Sequence, residues 1–129
     1  MGIFYLYYSF FISILYGEQA KYFKDEITPK LRHNKAGTVS LANKGKDKNG
    51  SQFFITTKDD LKSLDDTCTI FGQVAEGMDV VDKINKTIVD ENFRPLKNIR
   101  ILHTMILDDP FEDPKELIIP PNSPEPDVC

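Results

Sequence analysis

The residues best suited to chemistry lie in the segment SQFFITT, residues 51–57, where a glutamine stands close to two aromatic rings. Successive side chains of a strand point to opposite faces, so Gln52 and Phe54 share one face while Phe53 lies on the other. An amide donates and accepts hydrogen bonds at once, and beside a large ring it would suit a surface that grips polypeptide. Taken alone, the segment favours the alternative, in which both rings are core and Gln52 bonds to a loop.

Other candidate groups are sparse. The two cysteines, Cys68 and Cys129, make no disulfide framework, and His33 and His103 do not stand at metal-ligand spacing from them. The sequence therefore predicts a chain of a reducing compartment, without a metal site.

Composition sets the class. The chain has 129 residues, of which 40% are hydrophobic and 28% charged, which is typical of one globular domain. The net charge is −4, and there is no clustered basic face of the kind that binds nucleic acid. The basic loop that carries Lys44, Lys46 and Lys48 is interpreted as a solvated turn, with contact to a peptide or a phosphate as the alternative.

The first sixteen residues, MGIFYLYYSFFISILY, carry no charge. They lack the basic region and cleavage site of a signal peptide and are short for a spanning helix. Leu6 stands where myristoylation would need Ser or Thr. A signal anchor, a buried strand and a stretch foreign to the domain remain open from these residues.

Residue patterns predict the elements that must position Gln52 and Phe54. Asn49-Gly50 predicts a tight turn before the strand. His103 is interpreted as a packed histidine within a final strand. A segment with six prolines then predicts an extended acidic tail. The predicted elements are a helix over 17–26, strands over 37–43, 51–57 and 68–74, a helix over 77–87, a strand over 98–107 and the tail over 108–129.

Three motifs, GTVSLAN, NGSQFFITT and LDDTCTIFGQVAEGMDVVDKI, occur in this order. Together they resemble the cyclophilin family of peptidyl-prolyl isomerases from about Tyr16 to Leu107. The tail HTMILDDPFEDPKELIIPPNSPEP resembles the linker of nuclear, multidomain cyclophilins that carry an RNA recognition motif. The resemblance implies an atypical apolar segment over 1–15, a cyclophilin-like domain over 16–107 and a linker over 108–129. It also implies a nuclear location, or otherwise a cytoplasmic one.

The family fold is an eight-stranded antiparallel β-barrel with two helices and an outer groove. The resemblance therefore implies a mainly β chain, here an incomplete barrel with one or two short helices. It also implies that Phe54 lines a pocket for a proline ring and that Gln52 bonds the peptide. Ala42 with Asn43 would offer an edge to the peptide backbone, and Leu64 would close the pocket. No cofactor and no metal are implied.

The chain departs from the family at its catalytic donor. The family arginine lies in an F-H-R block followed by Q-G-G-D, upstream of YGE, and neither block occurs here. Arg32, Arg94 and Arg100 stand in other segments. We therefore expect an N-terminally truncated or alternatively started product, to which residues 1–15 are foreign.

Retained positions also differ from the family pattern. Lys44 stands where a small residue is usual, Ser63 where an aromatic is usual, and Cys68 where His is usual. These changes thin the wall of the pocket, so a cyclosporin-like ligand is not implied.

The sequence thus predicts an isomerase of X-Pro bonds by family, weak or inactive as this chain. The alternative is a module that binds proline-containing segments within a nuclear complex without turnover. A membrane-tethered or secreted cyclophilin carries the least weight. The partners implied are proline-containing peptides or proteins, with RNA bound only through a domain outside this chain and no membrane.

Overall fold

The computed structural model describes residues 22–112 of the chain. Contacts divide this part into two units at the junction of Leu96 and Lys97. Every helix and strand of the described part belongs to the first unit. The elements are β1 (Thr38–Asn43), β2 (Asn49–Ile55), a 3₁₀ turn (Lys62–Leu64), β3 (Ile70–Gln73) and α1 (Met78–Asn85).

The three strands form one antiparallel sheet with β1 in the centre, in the order β2-β1-β3. Ser40 on β1 pairs with Phe54 on β2 and with Ile70 on β3. The β1–β2 register becomes irregular between Leu41 and Asn43, which is the signature of a bulge. The three predicted strands are confirmed, each with bounds shifted by one or two residues.

The two faces of the sheet differ in burial. Ser40, Phe54 and Thr56 are buried on one face, whereas Phe53 and Ile55 on the other are only half-buried. The face that was interpreted as a peptide-gripping surface is therefore the more buried one. Stacking against the ring of His33 and pairing with Ser40 hold Phe54 there.

Gly37 brings the ends of three elements together. Its backbone has φ +86°, and its N–H donates to the carbonyl of Thr56 at 2.7 Å while its carbonyl accepts from the N–H of Val74 at 2.8 Å. A Cβ at this position would lie 3.4 Å from Met78 Sδ and from Val74 Cβ. These neighbours are at ordinary van der Waals distance, so the left-handed backbone is what favours glycine here.

Helix α1 follows the predicted periodicity. Met78, Val81 and Ile84 recur at helical spacing and are the more buried positions, and Val81 is buried. Asp79 in the first turn pairs with Lys83 at 3.3 Å, an i,i+4 pair that also suits the helix dipole. The helix predicted here is confirmed.

The hairpin turn lies earlier than predicted. Residues 44–48 form it, and Gly45 and Asp47 supply the positive φ angles of 121° and 58°. Asn49 instead begins β2 and is fully buried. Its N–H donates to the carbonyl of Phe23 at 3.2 Å, and its carbonyl accepts from the N–H of Phe23 at 3.0 Å. The turn predicted at Asn49-Gly50 is wrong because this outside partner extends the strand through both residues.

The predicted first helix is also wrong where it can be seen. Residues 22–26 form no helix, because Phe23 takes part in an antiparallel bridge with Asn49. The rest of that prediction, residues 17–21, lies outside the described residues, as does the segment 1–15.

The predicted final strand is not formed. Residues 98–107 have no regular secondary structure and their side chains are exposed, including His103, which was interpreted as packed. Alternation shows which faces a strand would have, but a strand also needs a neighbour for its backbone hydrogen bonds. Of the predicted tail, 108–112 are irregular and 113–129 lie outside the described residues.

Across residues 22–112, no helix combines the length and apolar character that crossing a membrane would require.

Candidate functional site

Strands β1 and β2 bring four of the five predicted site residues into one region. Leu41 pairs with Phe53 and Asn43 with Asn49, and the irregular stretch between these pairs contains Ala42 on β1 and Gln52 on β2. Phe54 lies two residues further along β2 and is 8% exposed. Ala42, Asn43 and Gln52 are half-buried. A bulge interrupts the ladder of backbone hydrogen bonds, so this stretch can offer backbone groups to a ligand.

The side chain of Asn43 is already engaged. Its Nδ2 donates to the carbonyl of Thr67 and its Oδ1 accepts from the N–H of Gly45 at 3.4 Å. Asn43 thus ties the hairpin turn to the segment that leads into β3. Only its backbone is left for the edge role that the resemblance implies, and that role stays a prediction.

Leu64 ends the 3₁₀ turn and is half-buried. The segment 59–66 around it is tied back to the residues before β1. The N–H of Leu61 donates to the carbonyl of His33 at 2.8 Å, and the N–H of Ala36 donates to Asp59 Oδ1 at 2.7 Å. These bonds place the Leu64 turn beside the segment that carries His33.

His33 is the site residue that sequence reasoning missed. Its side chain is completely buried, and its ring stacks on Phe54 with centroids 6.2 Å apart and an interplanar angle of 16°. Nε2 lies 2.7 Å from Ser40 Oγ, and Nδ1 lies 2.9 Å from Asp65 Oδ1. One imidazole thereby contacts β1, β2 and the residue that follows Leu64.

The hydrogen bonds fix the tautomer of the neutral ring. An ionised carboxylate only accepts, so Nδ1 carries the proton that it donates to Asp65, and Nε2 accepts from the hydroxyl of Ser40. The backbone N–H of His33 also donates to Asp65 Oδ1 at 2.8 Å. This backbone bond, followed by the bond from the ring, lowers the pKa of Asp65 from its ordinary value of 3.8.

Ser40, His33 and Asp65 are linked in the order of a serine hydrolase triad. A nucleophile must reach its substrate, however, and Ser40 is 0% exposed. The arrangement therefore holds structure and does not attack an acyl group.

Cys68 supplies no activated nucleophile either. Burial, and then the negative charge of Asp25, raise the pKa of its thiol, which disfavours the reactive thiolate.

No signal in the sequence points to this cluster. Ser40 lies seven residues from His33 and Asp65 lies 32 residues from it, so no local motif contains all three. Only the sheet and the anchored turn bring them together.

Fold and candidate site together define a class: a mainly β protein in which a buried ring lies beside the candidate site and in which neither Ser40 nor Cys68 is an activated nucleophile. The chain belongs to the cyclophilin family, since it matches the family described as "Cyclophilin type peptidyl-prolyl cis-trans isomerase/CLD" over residues 12–106.

Two relatives illustrate the match. "Peptidyl-prolyl cis-trans isomerase-like 4" of Mus musculus is 57% identical over 112 residues, which is 87% of this chain and 23% of that protein. "Peptidyl-prolyl cis-trans isomerase sig-7" of Caenorhabditis elegans is 51% identical over 114 residues, which is 88% of this chain and 27% of that protein. The chain thus spans a minor part of the length of these relatives.

Solved structures agree with the fold. A cyclophilin-type isomerase of Cryptosporidium parvum superposes with a TM-score of 0.58 at 34% identity, covering 62% of this chain and 51% of that one. A second structure, described as in the presence of the dipeptide Ala-Pro, gives 0.57 at 33% identity, covering 61% and 51%. The prediction of a mainly β, incomplete cyclophilin-like fold is confirmed.

Proposed function

We propose that the chain binds X-Pro segments of polypeptides, and that the reaction of its domain is rotation about the X-Pro bond. The proline ring would lie against Phe54 and Leu64. Gln52 would bond the peptide, and the backbone of Ala42 and Asn43 would pair with that of the peptide. We place this domain at residues 16–107.

The observation that carries the proposal is the register of the β1–β2 hairpin. It places Gln52 and Phe54 on β2 beside the irregular end of β1, where Ala42 and Asn43 lie. An apolar ring could pack against a proline ring, an amide could donate to and accept from the peptide, and unpaired backbone groups could bond to its backbone. The Cryptosporidium parvum relative described with Ala-Pro supports this ligand class.

The chemistry needs binding alone. The X-Pro bond has only a small preference for trans, but its rotation is slow because the twisted amide loses resonance. A site accelerates the rotation when it binds the twisted form better than either planar form. Holding the proline ring supplies positioning, and a donor aimed at the prolyl nitrogen would stabilise the twisted state.

The hydrogen-bond donor to the prolyl nitrogen is the catalytic feature that this chain supports least. Arg32 is engaged elsewhere, since its Nη1 pairs with Asp66 Oδ1 at 2.8 Å and its Nε donates to the carbonyl of Pro29 at 3.2 Å. Arg94 is exposed in the loop after α1. We therefore propose binding with slow turnover for the 129-residue chain.

A second candidate, a binding module without turnover, follows from the same geometry. The residues of the proposed groove require no donor to hold a planar X-Pro segment. The two candidates differ only in the rate of rotation, which exchange spectroscopy on a bound peptide measures directly.

Peptide titration tests the binding step. The 129-residue chain, labelled with ¹⁵N, is titrated with a proline tetrapeptide, and we expect the amides of β2 and of the Leu64 turn to shift. Gln52→Ala and Phe54→Ala should each weaken binding of the peptide. Phe71→Ala is the matched control, because Phe71 is 57% exposed on β3. Equal affinity for all three variants would refute the proposal.

We propose that the chain is nuclear and that RNA is bound only through a domain outside its sequence. The support is the likeness of residues 103–126 to the linker of nuclear cyclophilins. Fractionation of cells that express the tagged chain tests the location, and recovery in the cytoplasmic fraction alone would overturn it.

A further inference from the structure

We propose that His33 is a positioning residue that couples the Phe54 ring to the Leu64 turn, so that the two walls of the proline pocket hold a fixed spacing. The inference rests on the proposed function and adds a residue to it. It concerns a side chain that, at 1% exposure, touches no ligand.

The coupling begins at the ring. The imidazole lies nearly parallel to Phe54, 6.2 Å away between centroids. Aromatic rings in such contact restrict each other's rotamers. His33 is itself fixed by two side-chain hydrogen bonds on opposite edges of its ring, to Ser40 at 2.7 Å and to Asp65 at 2.9 Å. The ring that supports Phe54 therefore has one orientation.

The second half of the coupling runs along the chain from Asp65 to Leu64. Asp65 Oδ1 receives both the ring N–H and the backbone N–H of His33, while the carbonyl of His33 accepts from Leu61. Leu61 and Asp65 flank the 3₁₀ turn Lys62–Leu64. The backbone of His33 thus holds both flanks of the turn, and a displacement of the imidazole acts on the turn through its bond to Asp65, the residue after Leu64.

A second link on the same turn offers a control. Asp66 pairs with Arg32 at 2.8 Å, but its side chain is 69% exposed, and exposed ion pairs contribute little. Asp65 and Asp66 are neighbours in sequence and differ in whether their carboxylate reaches His33. Only the bond between Asp65 and His33 should therefore couple the position of the Phe54 ring to that of the Leu64 turn.

The test uses the 129-residue chain with ¹³C-labelled Leu methyl groups and a proline tetrapeptide as probe. His33→Phe keeps a ring against Phe54 and removes both side-chain hydrogen bonds. We expect its dissociation constant for the peptide to rise by roughly 2- to 30-fold, which is the usual size of the effect when a mutation alters coupling between sites. We also expect the Leu64 methyl signals to shift. Asp66→Asn should leave both unchanged.

Ser40→Ala and His33→Gln are the second variants, should His33→Phe not fold, and each should weaken binding in the same direction. A merely structural role for His33 would lower the melting temperature of these variants and leave the dissociation constant of the folded fraction unchanged. That result, or equal weakening by Asp66→Asn, would overturn the inference.

The experiment distinguishes failure of the proposed function from failure of the coupling. If the unmodified chain does not bind the peptide, the proposed function is wrong, and the Leu64 methyl shift on substitution of His33 still decides the coupling. A shift with Ser40→Ala but not with Asp66→Asn supports the coupling, and no shift with either refutes it.

Discussion

Nε2 of His33 lies 2.7 Å from Oγ of Ser40, and Ser40 is the cross-strand partner of Phe54. Ser40 is 0% exposed and His33 is 1% exposed, so the bond is sheltered from water. A buried hydroxyl or imidazole that loses its partner pays a desolvation penalty. These buried polar groups therefore favour one arrangement of the sheet, because another arrangement would leave them without hydrogen-bond partners.

Phe54→Ala should lower the free energy of unfolding by about 3–5 kcal/mol, because it removes a buried ring and leaves a cavity beside His33. Urea denaturation followed by circular dichroism measures the change. Phe71→Ala, at a position 57% exposed, should cost much less. Similar costs for the two variants would show that Phe54 is not part of the core.

Gly37→Ala should destabilise the chain by about 1–2 kcal/mol, the cost of a left-handed backbone for a residue with a Cβ. The new methyl group would lie 3.4 Å from Met78 Sδ and Val74 Cβ, an ordinary contact distance, so the cost comes from the backbone. Gly50→Ala is the control, since Gly50 has no positive φ and nothing lies within 4 Å of an added Cβ. Thermal melts of the two variants compare them, and a Gly37→Ala variant as stable as Gly50→Ala would contradict the expectation.

Asp65 should make the free energy of unfolding of the chain depend on pH in the acid range. Its pKa lies below the ordinary 3.8 in the folded chain, so the unfolded chain binds the proton more readily. The stabilisation is thus present above that value and is lost as the pH falls through the folded pKa. We expect the stability difference between the unmodified chain and Asp65→Asn to be largest near about pH 6 and to narrow toward about pH 3. If Asp65 had no such role, the urea midpoints of the unmodified chain and of Asp65→Asn would differ by the same amount at every pH in this range.

Turnover by the 129-residue chain should be slow. Removing a preorganised donor typically costs on the order of 100- to 1000-fold in rate, by analogy with oxyanion-hole donors. Exchange spectroscopy on a proline tetrapeptide, with a complete cyclophilin as reference, measures the difference. A rate equal to that of the reference, abolished by Phe54→Ala, would show that an arginine donor is not the main catalytic element.

Local patterns predicted the elements that local forces determine. Strand-favouring runs bounded by Gly, Asn or Asp identified β1, β2 and β3, and the spacing of Met78, Val81 and Ile84 identified α1. The family resemblance then supplied Gln52 and Phe54 as site residues, which their strand alone left ambiguous between core and surface.

Distant partners account for what the sequence did not predict. Phe23 pairs with Asn49, which replaces both a predicted helix and a predicted turn with a bridge. His33 acquires its role from Ser40 and Asp65, which no spacing rule connects to it. In each case the deciding hydrogen bond joins segments that are remote in sequence.

The strand order β2-β1-β3 also implies an order of assembly. The five-residue turn between β1 and β2 closes a small loop, whereas β3 must return to β1 across residues 56–69, and loop-closure entropy grows with length. The β1–β2 hairpin should therefore gain amide protection first during refolding, with β3 joining later. Pulsed hydrogen exchange would resolve the two steps, because the amide of Thr56 donates to Thr38 across the hairpin while the amide of Leu41 donates to Thr69, next to β3. Simultaneous protection of these two amides would show that the sheet forms in one step. Ser40 pairs with Phe54 on β2 and with Ile70 on β3, so its place in the centre of the sheet is complete only after both steps.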